Sequence, residues 1–219
     1  MTRSEENYIK TIFHLGKKGT KEVATNSIAE TMETKPSSVT DMVKKLSEKG
    51  LVNYRPYQGV SLTPMGNKVA LGIIRKHRLW EVFLVEKLDF TWDEVHDVAE
   101  QLEHIKSDKL IDSLDRMLGF PEFDPHGDPI PDKNGEFKER DRLLLSDVPV
   151  HTMGVCVGVR DSSTTFLKFL DKNNIALGNQ LQVLEIEEFD GSLLIDINDS
   201  RMQISHQIAS NLYIKIKDQ

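Results

Sequence analysis

The chain has 219 residues, a formal net charge of −7 at pH 7 and a single cysteine, Cys156. This length suits one large domain or two small ones, and the negative charge argues against a general binder of polyanions. Because the chain lacks a run of about 18 apolar residues, an apolar amino-terminal signal and a second cysteine, we expect a cytoplasmic protein with no membrane partner.

Charge is divided unevenly along the chain. Residues 1–80 hold 14 Lys and Arg against 7 Asp and Glu, a balance of +7. Residues 81–219 hold 14 against 28, a balance of −14. A basic amino-terminal third on an acidic body is typical of a compact nucleic-acid-binding module.

The pattern within this basic third predicts three helices and a hairpin. The apolar face of the first helix comprises Tyr8, Ile9, Ile12, Phe13 and Leu15. A short helix over residues 27–32 is followed by a break and by a helix that begins near Pro36 and ends at Gly50. Residues 51–55 and 60–62 flank a turn and predict the hairpin. This order is that of a winged helix-turn-helix, whose second helix enters the DNA major groove.

Side chains of this module fit DNA contact. Short hydroxyls at the start of the recognition helix can meet base edges or phosphates, and lysines can reach phosphates. The candidate DNA-binding residues are Lys35, Pro36, Ser37, Ser38, Thr40, Asp41, Lys44, Lys45, Arg55 and Tyr57. Asp41 would repel phosphate, yet it could accept a hydrogen bond from a cytosine amine. As alternatives, Ser37 and Ser38 could cap the helix, and winged helices also contact proteins.

The middle of the chain combines helical spacing with metal-ligand side chains. We predict helices over residues 63–87 and 108–118, and a third that starts after a capping box at 91–94. His96, Glu100, Glu103 and His104 recur at helical spacing, as do His77 and Glu81. Imidazole and carboxylate on one face suit a divalent transition metal, although a solvated polar face is the alternative. The spacing is not that of a zinc protease.

The last hundred residues predict a linker and a β domain. Residues 119–147 are rich in proline and form the linker. From Val148, short apolar runs at 154–159, 180–186, 193–197 and 212–216 predict strands, with one helix-like segment at 166–171. We therefore expect a small β-barrel with Asp161 on the loop after its first strand.

Several motifs resemble the diphtheria toxin repressor and manganese transport regulator family. They are Tyr8–Ile12, Pro36–Thr40, Arg75–Glu81, Glu103–Asp108, Leu118–Pro121 and Pro125–Pro131. The last two resemble the longer branch, which carries an SH3-like carboxyl domain. The resemblance implies a mainly α protein with a β-rich C-terminal domain. It also implies a cytoplasmic homodimer that represses transcription by binding double-stranded operator DNA when Mn²⁺ or Fe²⁺ is bound. The expected divisions are a winged helix-turn-helix at 1–63, a helical dimerisation and metal-binding domain at 64–118, a linker at 119–147 and an SH3-like domain at 148–219.

The resemblance sorts the metal ligands into two sites. One site would use His77, Glu81, His96, Asp124, His126 and Asp161. The other would use Glu100, Glu103 and His104 with Asn7, where relatives offer Asp or Met; the neutral amide of Asn7 adds no charge to this site. Lys10 replaces a carboxylate found in the shorter manganese regulators, so their closely spaced two-metal cluster is not expected.

The candidate ligand atoms of this chain are all oxygen or nitrogen. The resemblance implies that some relatives have cysteine at the positions of Glu100 and Asp124, where this chain has carboxylates. Such ligands suit Mn²⁺, and Fe²⁺ is the alternative. Two other classes compete with a repressor: a metal-dependent hydrolase, and a metal buffer that has lost DNA binding. A hydrolase would need an open metal position and a positioned base. We predict neither catalytic residues nor a small-molecule substrate.

Overall fold

The computed structural model describes residues 1–19, 21–56, 58–138 and 141–217. They form two compact units. The amino-terminal unit comprises Met1–Trp80, Ala99–Leu114 and Pro131–Phe137, and the carboxyl-terminal unit comprises Glu81–Val98, Asp115–Ile130 and Lys138–Gln219. The domain boundaries expected from the sequence stay predictions.

Six helices and one hairpin occupy residues 3–117. Their bounds are α1 Arg3–Leu15, α2 Thr25–Thr31, α3 Pro36–Glu48, β1 Val52–Arg55, β2 Gly59–Leu62, α4 Pro64–Leu88, α5 Val95–Leu102 and α6 Asp108–Met117. This order agrees with the order predicted for the winged helix-turn-helix and the helices after it. Within the described residues, no helix is both long and apolar enough to cross a membrane.

The core of the amino-terminal unit forms where α1, α2, α3 and the hairpin turn their apolar faces inward. The predicted face of α1 is buried at Tyr8, Ile9, Ile12 and Phe13, whereas Leu15 is exposed. Burying an aliphatic side chain of this size contributes about 1.5–3 kcal/mol. The other members of this core are Val23, Ile28, Ala29, Val39, Val43, Leu46, Leu51, Val52, Val60, Leu62, Ala70 and Ile74.

Local signals set the ends of these elements. At the start of α1, the Thr2 hydroxyl accepts the Glu5 N–H, and the Glu5 carboxylate accepts the Thr2 N–H, which completes a capping box. Gly50 follows α3 with φ +70°, the left-handed conformation predicted for its stop. The hairpin is antiparallel, with Val52 opposite Leu62.

The prediction of one helix that carries every polar residue from His96 to His104 is wrong at its end. α5 stops at Leu102, and Glu103 and His104 lie in the turn that follows. The Glu103 N–H still bonds to the Ala99 carbonyl at 2.9 Å, so the chain keeps a helical path to Glu103. The chain then redirects into α6, where the Ser107 hydroxyl accepts the Leu110 N–H.

The carboxyl-terminal unit contains a six-stranded antiparallel sheet. Its elements are β3 Leu143–Leu144, a 3₁₀ turn Leu145–Asp147, β4 Met153–Val159, α7 Thr164–Lys172, β5 Gln180–Ile186, β6 Leu193–Ile197, β7 Ser200–Ile204, α8 His206–Ala209 and β8 Leu212–Ile216. The strand order is β3-β8-β4-β5-β6-β7. Alternate residues of β6 are buried, as expected for a sheet with one face on a core.

The structure adds elements to the predicted β domain. Four strands and α7 agree with the sequence, but β3 lies inside the predicted linker, and β7 and α8 were not predicted. A two-residue turn at Asn198–Asp199, with both φ angles positive, joins β6 to β7. Among the described residues no pairing joins the outer strands β3 and β7, so the β-rich domain is confirmed without barrel closure.

Cys156 lies in β4 as predicted, and its side chain is buried. Burial raises the pKa of its thiol to about 11. The thiol is therefore protonated at neutral pH, which fits a structural role.

Candidate metal centre and DNA-binding surface

Helix α1 presents Glu6, Asn7 and Lys10 on one side, because Lys10 lies four residues after Glu6 and three after Asn7. The Lys10 ammonium contacts two carboxylates, Glu100 Oε1 at 2.5 Å and Glu103 Oε2 at 2.6 Å. Its Nζ also lies 3.3 Å from His77 Nδ1. Contacts join six residues here, and Asn7 lies on the same side of α1; together we call these seven the α1 cluster: Glu6, Asn7, Lys10, His77, Glu100, Glu103 and His104.

The Glu103 carboxylate lies at the centre of the α1 cluster and is fully buried. Burial by itself raises its pKa, but the hydrogen bond from His77 and the charge of Lys10 outweigh this effect and hold the pKa below its ordinary value. Glu103 is therefore ionised at neutral pH. His77 Nδ1 lies 2.7 Å from Glu103 Oε2. A neutral His77 therefore carries its proton on Nδ1, donates it in a hydrogen bond to Glu103 and keeps its lone pair on Nε2.

Three polar atoms of the α1 cluster are buried and, among the described residues, have no hydrogen-bond partner. They are Asn7 Oδ1, Glu103 Oε1 and His104 Nε2. Glu103 Oε1 and His104 Nε2 lie 3.8 Å apart. Since metal–ligand bonds to oxygen and nitrogen are about 2.0–2.2 Å, two atoms at this separation can share one ion.

A second carboxylate orients His104. His104 Nδ1 lies 2.6 Å from Glu6 Oε2, which is a hydrogen-bond distance. Glu6 is buried, and an ionised carboxylate only accepts, so a neutral His104 carries its proton on Nδ1 and its lone pair on Nε2. A carboxylate behind a histidine is a recurrent arrangement in metal sites. The buried atoms of the α1 cluster thus fit a divalent ion of the kind that binds oxygen and nitrogen.

A second group of candidate ligands lies in the carboxyl-terminal unit. Ligand atoms of Glu81, Asp124 and His126 lie within 4.8 Å of one another, and all three side chains are buried. His96 Nδ1 lies 3.5 Å from Glu81 Oε1, and His96 is half exposed. We call Glu81, His96, Asp124 and His126 the loop cluster.

Backbone groups hold the loop cluster in place. Asp124 Oδ1 accepts the N–H groups of His126 and Asp128, each at 2.9 Å. Gly127 has φ +83°, and a Cβ there would lie 2.1 Å from the Val157 carbonyl oxygen. The loop therefore packs directly on β4, which only glycine permits.

The two ring nitrogens of His126 face different groups, Nε2 the Trp92 carbonyl and Nδ1 the Glu81 carboxylate. Its Nε2 lies 2.7 Å from the Trp92 carbonyl oxygen, and its ring stacks on the Trp92 indole with centroids 6.3 Å apart. Because a carbonyl only accepts, Nε2 carries the proton and Nδ1 keeps the lone pair. Nδ1 lies 3.8 Å from Glu81 Oε1, a separation that two ligands of one ion can have.

The structure does not bring every predicted ligand into these groups. Asp161 belongs to none of the three-ligand groups found among the described residues, and its Oδ1 accepts the Ser163 N–H at 2.8 Å. Its role as a ligand stays a prediction. His77 lies one turn before Glu81 on α4, the local spacing from which its role was predicted.

The candidate DNA-binding side chains lie mainly on the exposed side of α3. Val39, Val43 and Leu46 face the core from the opposite side. Exposed candidates are Lys35, Pro36, Ser37, Ser38, Asp41, Lys44, Lys45 and Arg55. Thr40 is half-buried, and its hydroxyl donates to the Pro36 carbonyl at 3.0 Å. Tyr57 lies outside the described residues.

One of the alternatives for α3 has a structural answer. The residue before α3 is Lys35, and no side chain caps this end, so Ser37 and Ser38 do not act as its cap. Lys45 is partly engaged inside the unit, because its ammonium lies 2.9 Å from the buried Glu5 carboxylate, which also contacts Lys49 at 2.7 Å. These two ion pairs lower the pKa of Glu5 to about 2.

Sequence reasoning missed two groups at these clusters. Glu6 had a signal, since it lies beside Asn7 on the face of α1 that meets the metal ligands. The Trp92 carbonyl had none, because a backbone oxygen leaves no trace in a residue pattern.

Comparison with known proteins covers nearly the whole chain. Residues 1–60 match the family model of the iron dependent repressor N-terminal DNA binding domain. Residues 63–132 match its metal binding and dimerisation domain, and residues 143–216 match the FeoA domain. A solved manganese-dependent transcriptional repressor in complex with manganese is 33% identical, with a TM-score of 0.85 over 97% of this chain and 100% of that chain. The chain belongs to the diphtheria toxin repressor family.

Members of this family with curated names are similar over the amino-terminal half. An HTH-type transcriptional regulator of Methanocaldococcus jannaschii is 38% identical over 114 residues, 52% of this chain and 91% of that protein. The iron-dependent repressor IdeR of Mycobacterium leprae is 33% identical over 126 residues, which are 58% of this chain and 54% of that protein. The chain therefore spans about half the length of the mycobacterial family member.

The family settles the protein class. The iron-dependent repressors, the diphtheria toxin repressors and the solved manganese-dependent repressor are transcriptional regulators and not enzymes, which agrees with the prediction of a metal-dependent DNA-binding repressor rather than a hydrolase. Both manganese-dependent and iron-dependent members occur among them.

Proposed function

We propose that this chain is a metal-dependent transcriptional repressor that binds operator DNA as a homodimer in the cytoplasm, with Mn²⁺ as corepressor and Fe²⁺ as the alternative. One observation carries the proposal. Buried, unpartnered ligand atoms of Asn7, Glu103 and His104 lie in the same unit as the winged helix. Buried polar atoms without partners cost about 1–3 kcal/mol each, so a bound cation would relieve a real cost.

The two clusters supply the ligands of this proposal. In the α1 cluster, Asn7, Glu100, Glu103 and His104 would hold one ion, with Glu6 orienting His104. The loop cluster would hold another through Glu81, His96, Asp124 and His126, with His77 and Asp161 as the further ligands expected from the resemblance. A bound divalent ion supplies positive charge and fixed coordination directions to these donors.

Helix α1 gives the α1 cluster a path to the recognition helix. Asn7 lies two positions after Glu5, which binds Lys45 of α3 and Lys49 directly after α3. Ile9 and Ile12 of α1 pack in the same core as Val39 and Val43 of α3. Fixing Asn7 against Glu103 and His104 therefore restrains α1, and α1 restrains α3.

Restraint of α3 matters because a dimer reads two half-sites about one helical turn apart. Lys35, Ser37 and Lys44 on the exposed side of α3 would contact DNA, and Arg55 would contact it from the hairpin. Metal and operator then raise each other's affinity by the same factor. The match to a dimerisation domain supports the homodimer, and the FeoA match supports an SH3-like arrangement of the six-stranded sheet.

Ligand chemistry favours Mn²⁺. Both clusters contain only oxygen and nitrogen donors, and the one cysteine, Cys156, is buried in β4 with a protonated thiol. Carboxylate-rich sites suit Mn²⁺, whereas thiolates select softer ions. The iron-dependent relative from Mycobacterium leprae keeps Fe²⁺ as the second candidate.

Selection from a random pool of duplex DNA tests the proposal. The pool is incubated anaerobically with the full chain and with Mn²⁺, with Fe²⁺ or with chelator. We expect enrichment of a sequence with two related half-sites in the Mn²⁺ arm and no enrichment with chelator. Equal enrichment with chelator would refute metal dependence, and stronger enrichment with Fe²⁺ at equal free metal would replace Mn²⁺ by Fe²⁺.

A further inference from the structure

Phe189 is the most exposed large apolar residue in the part of the chain that the structure describes. It is 95% exposed, whereas Phe120, the next in order, is 63% exposed. It lies in the turn between β5, which ends at Ile186, and β6, which begins at Leu193. An aromatic side chain held in water forgoes the free energy that burial contributes, and aromatic residues are frequent anchors of protein interfaces.

The turn that carries Phe189 has a fixed backbone. The Glu187 N–H bonds to the Ser192 carbonyl at 2.8 Å, and the Gly191 N–H bonds to the Glu187 carbonyl at 2.9 Å. The Asp190 carboxylate accepts the Ser192 N–H at 2.9 Å. Since the turn is already ordered, little conformational entropy is lost when Phe189 binds a partner.

The charge around Phe189 is of one sign. Residues 185–190 hold four Asp and Glu, and residues 173–200 hold six Asp and Glu but no Lys or Arg. We call the exposed residues of this turn the acidic tip: Glu185, Glu187, Glu188, Phe189 and Asp190. A surface of this charge favours a basic partner that also offers apolar contact for the aromatic ring.

The amino-terminal unit carries a surface of that kind. The loop after α1 lies beside the start of α4, because a Cβ on Gly19 would be 2.7 Å from Asn67 Oδ1 and 3.5 Å from a methyl carbon of Leu62. Residues 14–21 and 63–69 hold four lysines and no Asp or Glu. We call the exposed lysines and large apolar residues of these two segments the basic patch: Leu15, Lys17, Lys18, Lys21, Met65 and Lys68.

We propose that the acidic tip of one copy of this chain docks on the basic patch of another copy. Phe189 contacts the exposed Leu15 and Met65, and the carboxylates of the tip contact the lysines of the patch. The two surfaces are complementary in charge and in apolar content, which favours a second copy over a partner of other chemistry.

The contact joins different surfaces of two copies, so it can link homodimers into larger assemblies. None of the patch lysines is among the candidate DNA-binding residues, and the contact therefore does not use the side chains assigned to DNA. This inference goes beyond the proposed function, because docking of the tip depends on neither metal nor operator.

Sedimentation velocity of the full chain tests the contact, in chelator, at low ionic strength and over a range of concentrations. We expect the average mass of wild type to rise above that of two chains as concentration increases. Phe189→Ser should need about 10-fold or more higher concentration for the same rise, because the apolar anchor is lost. Met153→Ser is the matched control and should associate like wild type, since Met153 is an apolar residue of β4 in the same sheet and is 50% exposed.

Charge reversal identifies the surface on which the tip docks. Glu188→Lys and Lys68→Glu should each weaken association, because each places like charges opposite one another. The double variant should recover most of the wild-type association, since opposite charges then face each other again. Wild-type association should also weaken when the salt concentration is raised.

Three results would overturn the inference. The first is equal association of wild type and Phe189→Ser, or a wild-type mass that never exceeds two chains. The second is weaker association of Phe189→Ser without recovery in the double variant, because the tip would then bind a surface other than the basic patch. The third is a sedimentation coefficient that changes on charge reversal at constant mass, which would mean that the tip binds the patch of its own chain. Failure of the proposed function is seen separately, as a wild type that selects no DNA with metal.

Discussion

The α1 cluster and the loop cluster offer the same kinds of donor, but they are prepared for a cation in different ways. In the loop cluster, backbone groups position the ligands: two N–H groups hold Asp124, and the Trp92 carbonyl holds His126. In the α1 cluster, side chains from α1 and from residues 100–104 hold one another through Lys10 and Glu6.

The loop cluster is therefore already positioned, whereas burial of the α1 cluster costs free energy. The loop cluster needs little rearrangement to bind an ion, because backbone N–H groups already hold the Asp124 carboxylate in its turn. The α1 cluster carries buried atoms without partners, so it gains more from a cation. We therefore expect the α1 cluster to link metal to DNA, and the loop cluster to act mainly on the unit in which it lies.

The largest effect should come from the shared carboxylate of the α1 cluster. Glu103→Gln keeps the shape of the side chain but removes its charge and leaves Lys10 with Glu100 as its only carboxylate partner among the described residues. It should remove most of the metal-dependent gain in operator affinity, which for coupled sites is about 5- to 150-fold. Fluorescence anisotropy with DNA selected by the Mn²⁺-loaded protein measures this gain.

Asp124→Asn is the matched change in the loop cluster. The amide oxygen can still accept the N–H groups of His126 and Asp128, so the turn survives while the charge is lost. Metal affinity of this cluster should fall, yet saturating Mn²⁺ should still increase operator binding. The proposed difference between the two clusters would be contradicted if Asp124→Asn lost the metal-dependent gain in operator affinity completely while Glu103→Gln kept it.

A smaller effect should follow from disturbing the packing of the loop cluster on β4. Gly127→Ala places a methyl group against the Val157 carbonyl in a left-handed conformation, and should destabilise the carboxyl-terminal unit by more than about 1 kcal/mol. Gly178→Ala is the control, because Gly178 has φ +88° but nothing within 4 Å of the added atom. Urea unfolding followed by fluorescence of Trp80 and Trp92 would compare the two variants.

The contrast between these glycines isolates the close approach from backbone strain. Both variants suffer the left-handed conformation, but only Gly127→Ala meets a carbonyl oxygen. Equal destabilisation of both variants would mean that packing of the loop on β4 contributes nothing beyond the φ angle.

How far the sequence predicts each region follows from the range of the interactions. The α1 face, the hairpin and the stop at Gly50 depend on neighbours within a few residues, and these agree with the structure. The prediction for the end of α5 was wrong because the helical spacing of Glu103 and His104 continues through a turn that is nearly helical. The contact of Lys10 with Glu100 joins residues 90 positions apart, and no local pattern predicts such a contact.

The same distinction explains the carboxyl-terminal unit. β7 was missed although the Asn198–Asp199 turn is a strong local hairpin signal. β3 was missed because two residues, Leu143 and Leu144, form a strand only through pairing with β8. Asp161 was predicted from a resemblance, and no contact among the described residues tests it.

The smallest expected effect concerns the connection from α1 to α3 and depends on pH. Contacts with Lys49 and Lys45 hold the pKa of the buried Glu5 at about 2, below its ordinary value of 4.5. A carboxylate with a lowered pKa stabilises the fold fully above its ordinary pKa, and this contribution is lost as pH falls through the lowered one. The stability difference between wild type and Glu5→Gln should therefore be constant above pH 4.5 and shrink between pH 4.5 and 2. Thermal unfolding of the metal-free proteins across this range measures it, with Glu48→Gln at the exposed end of α3 as control. A difference that stays constant down to pH 2 would show that these ion pairs do not stabilise the fold, and the apolar core alone would then join α1 to α3.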